Sequence, residues 1–113
     1  MAFDSYSLCP CGTGKKIKFC CPDLLGELEQ LDRLVEGDQT EAALEQVIRL
    51  LEKHPKKACL LATRTKLELA TKRFNDAAVT SRAFLEAYPD NPLALGHAAV
   101  AAALIDNMQE AAS

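Results

Sequence analysis

From residue 23 onward the hydrophobic positions recur at helical spacing. Leu24, Leu28, Leu31 and Val35 fall at i, i+4, i+7 and i+11, the apolar stripe of a helix that buries one face. Pro22-Asp23 is a start signal for this first helix, and Gly37-Asp38 breaks it. Thr40 is placed to cap a second helix, with Ala43, Leu44, Val47, Leu50 and Leu51 on one face and His54-Pro55 at its end. A third helix is predicted from about Lys57 to Lys72, with Leu60, Leu67 and Ala70 inward. Asn75 is placed to cap a fourth, which turns Ala77, Ala78, Ser81, Phe84 and Leu85 inward and stops at Tyr88-Pro89. Asp90-Asn91-Pro92 opens a fifth, and Asn107 starts a sixth. No run alternates with the two-residue period of a strand, so the expected class is all-α.

The punctuation between these helices repeats. Pro55 and Pro89 each end a helix, and the same interval separates Ala77 from Ala111, early in successive second helices. Gly37-Asp38 precedes Ala42-Ala43 in the same manner. A helix-turn-helix unit of this period, about 34 residues, resembles the tetratricopeptide repeat (TPR). The resemblance extends over about residues 24–113, nearly three repeats. The early aromatic and Leu-Gly of that repeat are replaced by Leu61 and Arg64-Thr65, then by Leu95 and Ala98-Ala99. The resemblance implies antiparallel helix pairs stacked as a solenoid whose concave face receives a peptide or partner segment. Thr63, Lys66 and Ala70 would face that groove, joined by His97 and Val100 from the next first helix. Lys66 and His97 are the candidate partner-binding residues of the array. Some members clamp a terminal carboxylate with Lys, Asn and Arg; the matching sites here are Ala62, Thr63, Leu93 and His97, with Lys66 alone basic, so that clamp is not expected. The plainer alternative is an unrelated antiparallel bundle, with Lys66 a solvated helix residue.

Residues 93–105 are apolar apart from Gly96 and His97. A helix that is apolar all round is normally covered on all sides, whereas a terminal repeat offers water a polar outer face. The expectation is a piece of a longer repeat protein, or a homodimer through residues 93–105; the first is preferred.

Composition narrows the function classes. The chain has 113 residues, 49% hydrophobic and 26% charged, with net charge −3. That acidic balance argues against a basic whole-surface nucleic-acid binder, and the 5% aromatic content without Trp argues against base-stacking platforms. No apolar run reaches the length that spans a bilayer. The opening MAFDSYSLCP has no basic segment followed by an apolar one, so a cytoplasmic setting without membrane contact is expected.

The chemistry is concentrated in the cysteines. Four of the five lie in Cys9-Pro10-Cys11-Gly12-Thr13-Gly14-Lys15-Lys16-Ile17-Lys18-Phe19-Cys20-Cys21. Two close pairs across a Gly-containing turn suit a tetrahedral ion, each pair supplying one edge. Four thiolates without an oxygen ligand favour one structural zinc. Redox chemistry or a disulfide framework across the pairs is the alternative, although a cytoplasmic chain keeps structural thiols reduced. The likeness of Gly12-Thr13-Gly14-Lys15 to a phosphate loop fails, because Cys9 stands where that loop needs Gly and Lys16 where it needs Ser or Thr. Lys15, Lys16 and Lys18 face only Asp4 in charge, so a loaded thiolate site would bring the segment close to neutrality. These lysines either offset the thiolates or form an outward basic patch for a protein, RNA or phosphate surface.

The stretch CPCGTGKKIKFCC resembles the SEC-C motif, commonly CPCGSGKKYKKCC, over about residues 8–22. Ten of the thirteen positions agree; Thr13, Ile17 and Phe19 depart, and none is a ligand position. The resemblance implies zinc on Cys9, Cys11, Cys20 and Cys21 and contact with a partner, not a reaction. Two units follow: a zinc-binding head over residues 1–22 and TPR-like helices over 23–113. Cys59 reads as an ordinary buried thiol, and no set of Ser, His and Asp or paired carboxylates suggests catalysis. The expectation is a non-enzymatic zinc-binding adaptor whose lysines Lys15, Lys16 and Lys18 dock the head. The alternatives are a targeting module of a longer enzyme whose catalytic part lies beyond residue 113, and a zinc-thiol redox sensor.

Overall fold

The computed structural model describes residue 16 and residues 22–112. A single 3₁₀ turn, Pro22–Leu24, leads into five helices: α1 (Leu25–Glu36), α2 (Thr40–Lys53), α3 (Ala58–Ala70), α4 (Phe74–Ala87) and α5 (Pro92–Ala112). No strand occurs among the described residues 22–112. The connections are short, so each helix folds back beside its predecessor and packs on it. α3 also touches α5, which places α3 at the centre of the array.

The predicted stripes become the core. Leu24, Leu28 and Leu31 are buried from the first helix and Ala43, Leu44 and Val47 from the second. α3 is buried on most of its circumference, including Cys59, Leu60, Leu61, Ala62 and Leu67. From α4, Phe84 is fully buried; its ring meets Tyr88 edge-on at 5.9 Å. Val35 departs from its stripe and is 39% exposed in the last turn of α1. Ala70, also expected inward, is exposed in the last turn of α3.

The turns repeat in atomic detail. Gly37 N donates to Arg33 O at 3.1 Å, Asp38 N to Val35 O at 3.1 Å and Gln39 N to Leu34 O at 2.8 Å. One period later, Thr71 N donates to Leu67 O at 3.0 Å, Lys72 N to Leu69 O at 3.2 Å and Arg73 N to Glu68 O at 2.8 Å. Asp38 and Lys72 both take the left-handed conformation, with φ of 60° and 62°. The longer connections match in the same way: His54 N to Leu50 O and Tyr88 N to Phe84 O are both 2.9 Å. The period seen in the sequence is therefore a period of the backbone.

Three helix boundaries differ from expectation. Thr40 and Asn75 are not caps; they lie inside α2 and α4, which follow Gln39 and Arg73 and carry no side-chain cap bond. After the left-handed residue, the amides of Gln39 and Arg73 bond back to the preceding helix, so the next helix starts before Thr40 or Asn75 can serve. No break separates a sixth helix at Asn107, because α5 continues to Ala112. The start of α5 is as read: Asn91 Oδ1 accepts from Leu93 N at 2.9 Å and from Ala94 N at 3.2 Å.

Candidate functional site

A groove of about 460 Å³ runs across the alternate helices α1, α3 and α5. α1 contributes Leu28, Leu31, Asp32 and Val35, spaced i, i+3, i+4 and i+7, so that one side of that helix forms one wall. α3 contributes Ala62, Thr63, Lys66 and Leu67, and α5 contributes Leu93 and His97, one turn apart. Leu28, Leu31, Ala62 and Leu67 are buried and form an apolar floor. Val35, which leaves the core, stands at the edge of this groove.

Polar groups stand on all three walls: Asp32 on α1, Thr63 and Lys66 on α3 and His97 on α5. Thr63 is occupied locally, its Oγ1 donating to Cys59 O at 2.7 Å. Lys66 is exposed, and its ammonium acts on the His97 ring across the groove. Burial is the main reason that the His97 pKa lies below its ordinary 6.5, with the Lys66 charge adding to the effect. The imidazole is therefore neutral at neutral pH. Its Nδ1 is buried and has no hydrogen-bond partner among the described residues. From behind, Phe84 holds the ring at a centroid distance of 6.4 Å. The arrangement combines a hydrophobic trough with one exposed cation, one unused imidazole nitrogen and, on the α1 wall, the Asp32 carboxylate. It can receive apolar side chains along the floor and a hydrogen-bonding or anionic group at the Lys66–His97 side.

The structure thus places Thr63, Lys66 and His97 on the lining of one groove. Ala70 and Val100 do not join them: Ala70 lies past the groove in the last turn of α3, and Val100, 47% exposed, lies one turn beyond His97 and does not line it. Nothing in the sequence marks the α1 wall as site-forming. Leu28 and Leu31 carry the same pattern whether they meet a neighbouring helix or a groove, so only the packing of α1 beside α3 reveals their second role.

Comparison of the chain with protein-family models, curated proteins and solved structures finds no match. Cys9, Cys11, Cys20, Cys21, Lys15 and Lys18 lie outside the described residues. Lys16 is exposed. Among the described residues no three His, Cys, Asp or Glu side chains gather as a metal site. No helix among them is long and apolar enough to cross a membrane.

Proposed function

We propose that this chain is a non-enzymatic interaction protein that holds a partner segment in the α1/α3/α5 groove and carries one structural zinc in its cysteine-rich head. The observation that carries the first half is the groove itself. Three non-consecutive helices present one continuous apolar floor, with Lys66 and His97 together on its side. A rigid trough of this kind suits a peptide or helix with apolar residues toward Leu28, Leu31 and Leu67 and an acceptor toward Lys66. The recurrence of matching turn hydrogen bonds, one period apart, supports a TPR-like array as the scaffold.

The second half rests on the donor set. Cys9, Cys11, Cys20 and Cys21 supply four thiolates in two pairs, which fit zinc better than any oxygen-seeking ion. The SEC-C-like sequence supports the same ligands and a partner contact through Lys15, Lys16 and Lys18. A cytoplasmic setting goes with four reduced thiols.

The groove reading is tested by placing a photo-cross-linking residue at position 63 and isolating adducts from cell extract. The expected result is one dominant protein adduct, lost in Val35→Arg and in Lys66→Glu, both at exposed groove positions, while the helical circular dichroism is unchanged. Adduct formation indifferent to both variants would move the binding surface away from the groove. Lys15→Glu, Lys16→Glu and Lys18→Glu together separate the head from the groove: loss of capture in that variant alone assigns docking to the head.

A further inference from the structure

The shared period makes α3 and α5 equivalent, position by position, and so exposes a difference between them. Leu61, Thr65 and Glu68 of α3 are at most 8% exposed, because α4 lies against that helix. Their counterparts on α5 are Leu95, Ala99 and Ala102, and all three are exposed, Leu95 at 51%. The inward positions, in contrast, match: Leu60 and Ala94 are both buried, and so are Leu67 and Ala101. Hence α5 presents, uncovered, the face that α3 buries under a helix. The uncovered face adjoins a slot of about 300 Å³ between α4 and α5, walled by Ala78, Ser81 and Leu85 on one side and Ala98, Ala102 and Ile105 on the other.

The charges on this slot bear on what fills it. No charged side chain occurs from residue 92 through 105. Arg82 of α4 and Asp106 of α5 both line the slot, and neither makes an ion pair within the described residues. An apolar surface that carries one cation and one anion can pair each with its opposite on a second copy under a two-fold rotation. We propose that this face is the contact surface of a homodimer: α5 of each copy lies antiparallel in the α4/α5 slot of the other. The axis passes near Ala102, and Arg82 of one copy meets Asp106 of the partner subunit. Leu95 and Ala99 then gain the helical cover that α4 gives to Leu61 and Thr65. The contact uses the side of α5 away from Lys66, so it leaves the groove open.

Sedimentation velocity of the full chain over a concentration series tests the proposal. The expected result is a reversible monomer–dimer equilibrium. Ala102→Glu, at an exposed helix position the monomer tolerates, should weaken association by at least about tenfold while leaving the circular dichroism intact. Arg82→Asp should also weaken it, and the double variant Arg82→Asp with Asp106→Arg should restore it, because the swap rebuilds the pair between copies. A monomer throughout the series overturns the proposal and leaves the face to a different protein or segment. A dimer unmoved by Ala102→Glu overturns it too, by placing the interface elsewhere.

Discussion

His97 is the residue at which burial, charge and packing meet. Its imidazole is backed by Phe84, is partly withdrawn from water and is repelled as a cation by Lys66. The folded-state pKa therefore lies below the unfolded 6.5, and the fold favours the neutral ring. The stability that comes from this preference is present above pH 6.5 and is lost as the pH falls through the lowered value. Urea midpoints should fall between about pH 7 and pH 5, and His97→Gln should flatten that fall. An identical slope in the variant would assign the titration to other groups. Little of this is legible from the sequence, where His97 is one polar residue in an apolar run. Its place in the groove follows from the repeat alignment with Thr63, but the depressed pKa depends on burial against Phe84 and on Lys66, which come from other helices.

Among the helices, stripes are easier to read than ends. The inward residues of α2 and α4 follow from period alone, because an amphipathic helix has one way to bury its apolar side. Thr40, Asn75 and Asn91 are all able to cap, yet of these only Asn91 does so. Its carboxamide oxygen satisfies two amides of α5, so Asn91→Ala should cost about 1 kcal/mol of stability, measured by chemical denaturation. By the same reasoning Asn75→Ala, inside α4, should cost far less. The left-handed residues also lie beyond the sequence signal. Gly37 marks the turn between α1 and α2, yet φ is positive at Asp38 and not at Gly37. At the matching turn no glycine is present, and Lys72 takes the conformation. The hydrogen bonds of the turn and the packing of the following helix impose it on whichever residue falls there.

Across the molecule, the described residues share one core. Its buried apolar residues lie between Leu24 and Ala101, and they pack against one another across all five helices. Chelation of zinc should therefore leave helical circular dichroism and the thermal midpoint of the helices nearly unchanged, while amide exchange accelerates within residues 1–22. A drop in helical signal on chelation would make the head a part of the core. The groove and the dimer face lie on different sides of α5, so partner capture should persist in Ala102→Glu.

Residue pattern alone establishes that the chain is helical, how most of its apolar stripes face and that its turns recur with a fixed period. These are local properties: hydrophobic period and turn-forming residues act over a few positions. The pattern also carries four thiols at a spacing that suits zinc, a chemical potential written in residue types alone. Packing selects which stripe stays open. Leu61 of α3 and Leu95 of α5 stand at equivalent positions, yet Leu61 is buried and Leu95 exposed because, among the described residues, only α3 has a helix on that side. The α1/α3/α5 groove arises for the same reason. Burial is a relation between elements, and the period of one helix does not specify which of its neighbours is present.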